Sequence, residues 1–149
     1  CMENKIENSE EIDRINAEIL SHMSNPMNYG EMDDSNGIGK CVNVRTTEFL
    51  VVYIKVNEAG ILENITYGCK ANQDSSLSAS IFTEMVKGDT LDNALESLKL
   101  LESKLLEVPE VRKLNSSMVL HAFRAAMINR ENIMNGMDEK EFTINIEEE

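Results

Sequence analysis

The chain has 149 residues, with 14 Lys and Arg against 27 Asp and Glu, a formal net charge of −13. Apolar residues make up 42% and charged residues 28%, the balance of one globular domain that buries a core without disulfide staples. No basic stripe remains to neutralise phosphates or to dock on anionic lipid, which argues against nucleic acid and membrane surfaces as partners.

No apolar run reaches the length of a spanning helix, and no charged-then-apolar signal segment opens the chain, so the expected compartment is the cytoplasm. The three cysteines, Cys1, Cys41 and Cys69, are an odd and widely spaced set without a CxxC pair. They predict neither a disulfide framework nor a zinc ribbon. Cys1 stands where an initiator methionine is expected and is given no chemistry.

In chain order, residues 1–7 read as a disordered N-terminus and Asn8 to His22 as a helix. Ser9 caps it, Glu10 and Glu11 suit its positive end, and Ile12, Ile15, Ile19 and Leu20 form the apolar stripe. Pro26 stops it, and Asn25 to Lys40 reads as a surface loop. Val42 to Arg45 is a short strand, and Phe49 to Val56, β-branched and aromatic, is a long one with cover on most of both faces. Glu58-Ala59-Gly60 turns the chain, and Ile61 to Tyr67 returns as a third strand.

After Gly68-Cys69 the period changes from two to about 3.6. Asp74 or Ser75 caps a helix running to Lys87, with Leu77, Ile81, Phe82 and Met85 inward, and Gly88 ends it. Thr90 caps the next, with a stripe of Leu91, Ala94, Leu95, Leu98, Leu101 and Leu105. Pro109 opens a last helix with Val111, Met118, Ala122, Ala125 and Met127 inward. Residues 136–149 read as a mobile acidic tail with a short edge strand at Phe142 to Ile146 as a further option. The expected fold is α+β: a single domain over residues 8–135, with a three-stranded antiparallel meander packed by an N-terminal helix and three C-terminal helices.

Cys69 follows a glycine at a strand end and precedes a helix cap, where helix N–H groups favour a thiolate. The competing reading is a small apolar plug under the loop. His22 reads as a hydrogen-bonding residue at a helix end. His121, mid-helix without a metal-spaced partner, reads as partly exposed.

Several segments together resemble a known family. His22-Met23-Ser24-Asn25-Pro26-Met27-Asn28-Tyr29-Gly30, with Asp33-Asp34-Ser35-Asn36-Gly37-Ile38-Gly39, is similar to the opening of U-type iron–sulfur cluster assembly scaffolds, the IscU and NifU N-terminal family. Tyr53-Ile54-Lys55-Val56 and Ile65-Thr66-Tyr67-Gly68-Cys69 resemble that family's central hairpin. Thr83 to Asp92 and Val108-Pro109-Glu110-Val111-Arg112 resemble its helix junction and its proline loop.

The resemblance implies a non-enzymatic scaffold that receives sulfur from a cysteine desulfurase and passes a labile 2Fe–2S cluster to acceptor apoproteins. Thiolates are soft ligands for iron, and an aspartate keeps such a site labile. Carried over residue by residue, the first cysteine of the family's CGD turn falls on Thr46, its glycine on Thr47 and its aspartate on Glu48. The second cysteine falls on Cys69, and the later His-Cys pair on Leu114 and Asn115. Polar Lys70 to Ser76 stands in place of a small, apolar segment.

Cys69 and Cys41 are therefore the candidate cofactor-binding thiols, and Cys69, Cys41 and Glu48 the candidate metal ligands. Cys41 joins the others only if its loop is remodelled, with a homodimer supplying further ligands; otherwise it is a strand residue facing the core. Two sulfurs share a cluster or metal when they lie within roughly 4–7 Å, given Zn–S and Fe–S bonds near 2.3 Å. Three rival readings stand beside the scaffold: a cluster-free protein-binding or regulatory module, a mononuclear zinc or iron site on Cys69 and Glu48, and, more distantly, a cysteine-nucleophile enzyme.

Overall fold

The computed structural model describes residues 14, 17, 20–97 and 117–148. Its centre is the strand with the strongest β signal. β2 (Phe49–Val56) lies between β1 (Gly37–Asn43) and β3 (Leu62–Lys70), antiparallel to both. A fourth strand, β4 (Phe142–Ile146), pairs with β1 in parallel, giving the order β3-β2-β1-β4. The meander is thus the core of a mixed sheet with four strands rather than three, and the acidic C-terminal stretch contributes the edge strand.

The β2–β3 hairpin closes through Asn57, whose Oδ1 accepts from the backbone N–H of Ala59 (2.9 Å) and Ile61 (3.0 Å). Gly60 takes φ +82° there, the left-handed geometry that favours glycine. Strand alternation puts Leu50, Val52, Ile54, Ile65 and Tyr67 on one buried face, under α1 (Gln73–Val86) and α2 (Ser117–Met134). α1 packs mainly on β3, and α2 on β1 and β2. Phe82 and Phe123 join the two helices edge to face, with centroids 5.2 Å apart.

The expected loop from Asn25 to Lys40 ends earlier, because β1 begins at Gly37. Glycine is depleted in strands, yet here it is required. A Cβ on Gly39 would lie 2.1 Å from the Ala122 carbonyl oxygen and 2.0 Å from the Ala126 nitrogen. Strand and helix meet backbone to backbone, and small residues on both sides allow it.

Other boundaries shift for equally local reasons. β3 runs on to Lys70, with Gly68 paired to Val51 and no positive φ, so Gly68 makes no sharp turn. Asn72, rather than Asp74 or Ser75, caps α1, its side chain accepting from Ser75 N–H at 2.9 Å. Met85 is 45% exposed, and Val86 takes the inward place instead. Far-face cover of β2 is partial: Val51 is buried, while Phe49, Tyr53 and Lys55 are half-buried.

Thr90 caps residues 91–97, its Oγ1 accepting from Asn93 N–H at 3.1 Å. Leu98, Leu101, Leu105, Pro109 and Val111 lie outside the described residues, as do Ile12, Ile15 and Ile19. Of the first helix, residues 14, 17 and 20–24 are described as helical; Leu20, expected in its stripe, is 62% exposed. No helix of the described residues is long and apolar enough to cross a membrane.

Candidate functional site

Cys69 sits near the end of β3, paired with Leu50 and on the same face as Tyr67 two residues earlier. It is half-buried and lines a cavity of about 460 Å³ together with His22, Tyr29, Ser76 and Ser80. Three separate parts of the chain build this cavity: the strand, α1 and the segment after His22.

Ser80 of α1 ties the last of these down. Its Oγ lies 2.6 Å from His22 Nδ1 and accepts from Met27 N–H at 2.8 Å. Asn28 continues the attachment: its side chain donates to Glu84 Oε2 (2.9 Å) and accepts from Lys87 Nζ (2.5 Å). Its carbonyl accepts from Tyr67 N–H at 3.0 Å, and Gly30 N–H donates to the Tyr67 carbonyl at 2.8 Å. Tyr29 then meets Tyr67 edge to face, with ring centroids 5.4 Å apart.

The Tyr67 hydroxyl is buried without a hydrogen-bond partner of good geometry. Burial raises its pKa above the ordinary tyrosine value, the nearby Ser76 and Ser80 hydroxyls oppose this, and the Cys69 sulfur adds to it.

Glu48, in the β1–β2 loop, is tied to the chain just after Cys69. Its Oε2 accepts from the backbone N–H of Asn72, three residues beyond Cys69, at 2.6 Å. A carboxylate and a thiol thus stand beside one short segment, Cys69 to Asn72. Thr46 is exposed and is joined to Glu48 through its Oγ1, which accepts the Glu48 N–H at 3.3 Å. Thr47 takes φ +64°, a left-handed conformation that is rare for a β-branched residue. The resemblance puts a glycine at this position, so the turn keeps a glycine's backbone shape under a different side chain.

Cys41 is elsewhere. It is fully buried between Leu50 of β2 and Ile144 of β4. Burial, with the Glu148 carboxylate adding to it, pushes its thiol pKa up to about 11. Cys41 and Cys69 both pair with Leu50, so they stand two strand spacings apart, about 10 Å between α-carbons. The structure therefore fastens Glu48 to the backbone three residues beyond Cys69 and leaves Cys41 behind Leu50, in the core. Among the described residues no group of three or more His, Cys, Asp and Glu is placed to hold a metal ion. Leu114 and Asn115 lie outside those residues.

The sequence reading missed Tyr67, Ser76 and Ser80 as neighbours of Cys69. Two signals for them exist: Tyr67 shares a strand face with Cys69, and Ser76 and Ser80 are one helical turn apart. The junction of His22 with Ser80 spans 58 residues and has no local signal.

The NifU-like N terminal domain profile matches residues 14–135. The iron–sulfur cluster assembly scaffold protein IscU of Aquifex aeolicus is 37% identical over 84 residues, covering 54% of this chain and 52% of that protein. IscU of Escherichia coli K12 is 32% identical over 115 residues, covering 73% of this chain and 88% of that protein. Among solved structures, a candidate SUF-system scaffold from Fervidobacterium islandicum AW-1 shares the fold. It aligns with a TM-score of 0.52 at 15% identity, over 80% of each chain. The profile spans most of the chain and an IscU relative aligns with nearly three quarters of it: the chain belongs to the NifU-like N-terminal domain family.

Proposed function

We propose that this protein acts in iron–sulfur cluster assembly as a scaffold-type sulfur and iron carrier, with Cys69 as its working residue. The observation that carries this reading is the half-buried Cys69 thiol lining a cavity, with the Glu48 carboxylate bonded to the backbone three residues further on. The relatives named as cluster assembly scaffolds support the role.

The chemistry of a single accessible thiol fits sulfur acceptance. The Cys69 thiolate attacks the outer sulfur of a persulfide on a cysteine desulfurase. A sulfur–sulfur bond forms at Cys69, the donor's sulfur–sulfur bond breaks, and the donor cysteine leaves as a thiolate, with no net redox change. The residues fit an iron–sulfur cluster only in part: Cys69 supplies a thiolate and Glu48 a carboxylate, while Thr46 is a poor ligand for iron. Any cluster or iron ion is cargo, bound for transfer to acceptor proteins.

A second reading has a specific observation behind it. Cys41 is sealed in the core, so the family's ligand set is not rebuilt from it, as expected of a cluster-free protein-binding module. One experiment separates them. The protein is incubated anaerobically with a cysteine desulfurase and cysteine, then with ferrous iron. The scaffold reading expects a mass gain of one sulfur on Cys69 and then visible charge-transfer absorption, both absent in Cys69→Ala. No sulfur on Cys69 and no colour would leave the binding module; bound zinc without colour would indicate a mononuclear site.

A further inference from the structure

β4 lies beyond the region matched by the family, which ends at residue 135, yet it closes the β1 edge of the sheet. Side-chain amides fasten it at both ends. At the near end, Asn132 Nδ2 donates to both carboxylate oxygens of Glu139 (3.3 and 3.2 Å), and Asn129 Nδ2 donates to Glu139 Oε1 (3.0 Å). At the far end, Asn43 Nδ2 donates to the Glu148 carbonyl at 2.7 Å, and Val44 N–H donates to the Ile146 carbonyl at 2.9 Å. Ser117 Oγ adds a bond to Glu148 Oε1 at 2.8 Å.

Between those ends the strand is held on one side only, by its ladder to β1, with Ile146 packed against the core. β4 pairs only with β1, Thr143 and Asn145 are exposed, and Phe142, Ile144 and Ile146 are no more than half-buried. Polar bonds of this kind are exchanged for water at small net cost, so such a strand opens far more readily than the sheet unfolds. Its charge favours opening too: Asp138, Glu139, Glu141, Glu147 and Glu148 stand against Lys140 on a chain that is already strongly acidic.

We propose that residues 137–148 form a releasable strap that sets the loop bearing Thr46, Thr47 and Glu48. With the strap closed, its bonds to Asn43 and Val44 fix the root of that loop. With it open, the three bonds to Asn43 and Val44 go, β1 becomes an edge strand, and Cys41 loses Ile144, its neighbour on that side. Glu48 then leaves its place beside the Cys69 segment more easily. The strap rests on hydrogen bonds and topology and holds whether or not the site handles iron or sulfur.

Cys41 reports the opening, because it is fully buried when the strap is closed. The full-length protein is alkylated with iodoacetamide in native buffer, and each cysteine is followed by mass spectrometry, with Cys69 as the internal reference. Asn132→Ala and Asn43→Ala should each raise the Cys41 rate about tenfold or more relative to Cys69, as loss of a latch shifts a local opening equilibrium. Added salt should slow Cys41 alkylation in the unmodified protein by screening the strap's repulsion. Amide exchange at Val52 and Ile54, in the internal strand β2, is followed alongside. The proposal fails if Cys41 reacts only as fast as those central amides exchange, or if neither variant nor salt changes its rate.

Discussion

Cys41 and Cys69 share one row of the sheet, each facing Leu50 from opposite sides, yet one thiol is sealed and the other lines a cavity. Their difference lies in what stands beyond them. β4 and α2 cover the first, whereas β3 is an edge strand whose end opens towards His22 and Tyr29.

This asymmetry predicts a clean separation of roles. Cys41→Ala should leave sulfur acceptance intact and cost about 1 kcal/mol of stability for the small cavity it opens. Cys41→Ser should cost more, about 1–3 kcal/mol, because it buries a hydroxyl without a partner. Urea unfolding midpoints check both values, and Cys69→Ala should show the converse pattern: sulfur acceptance lost, stability nearly unchanged.

Burial raises the Cys41 thiol from 9.0 to about 11, and stability must follow pH accordingly. Below pH 9 the thiol is protonated in both folded and unfolded chains. Between pH 9 and 11 the unfolded chain releases the proton while the folded one holds it, so stability falls as pH rises through that window. The loss at Cys41 is on the order of 2 kcal/mol. Comparing urea midpoints at pH 8 and pH 10.5, the decline should be smaller in Cys41→Ala than in the unmodified protein.

Thr47 holds a left-handed backbone at φ +64°, which costs an L-residue with a Cβ roughly 1–2 kcal/mol. Thr47→Gly should therefore raise stability by about 1 kcal/mol, read as a higher melting temperature. Thr46→Cys in the same turn adds an exposed thiol on the Glu48 side of the site. Anaerobic loading of that variant with iron and sulfide should give stronger visible absorption than the parent protein, and no increase would show that the turn does not face Cys69.

Gly39 and Gly68 offer a matched pair. A Cβ at Gly39 meets the backbone of α2 at 2.0–2.1 Å, whereas one at Gly68 meets nothing within 4 Å. Gly39→Ala should destabilise by about 3 kcal/mol, the upper end of ordinary overpacking, and Gly68→Ala should be nearly neutral. Circular dichroism melts of the two variants check the contrast.

The parts of the fold that were legible in the sequence are those set by local rules. β2 spans Phe49–Val56 as its β-branched run predicts, and Asn57 to Gly60 closes the hairpin that follows. Thr90 caps the helical stretch at 91–97, and the Thr46-Thr47-Glu48 turn is located by its likeness to a known loop. The start of β1 was hidden because its glycines answer to α2, more than 80 residues away. Parallel pairing of β4 with β1 was equally out of reach, since nothing within FTINI names its partner strand. Cys69 is singled out by its place between strand and cap, while its cavity neighbours His22 and Ser80 meet only through tertiary packing.

Asn28 to Gly30 form a stitched seam. Their amides run along Tyr67 while the Asn28 side chain grips Glu84 and Lys87, and the Tyr29 ring stands 63% exposed between them. A ligand seated on that ring from outside would rest against Tyr67, two residues from Cys69 on the same strand face.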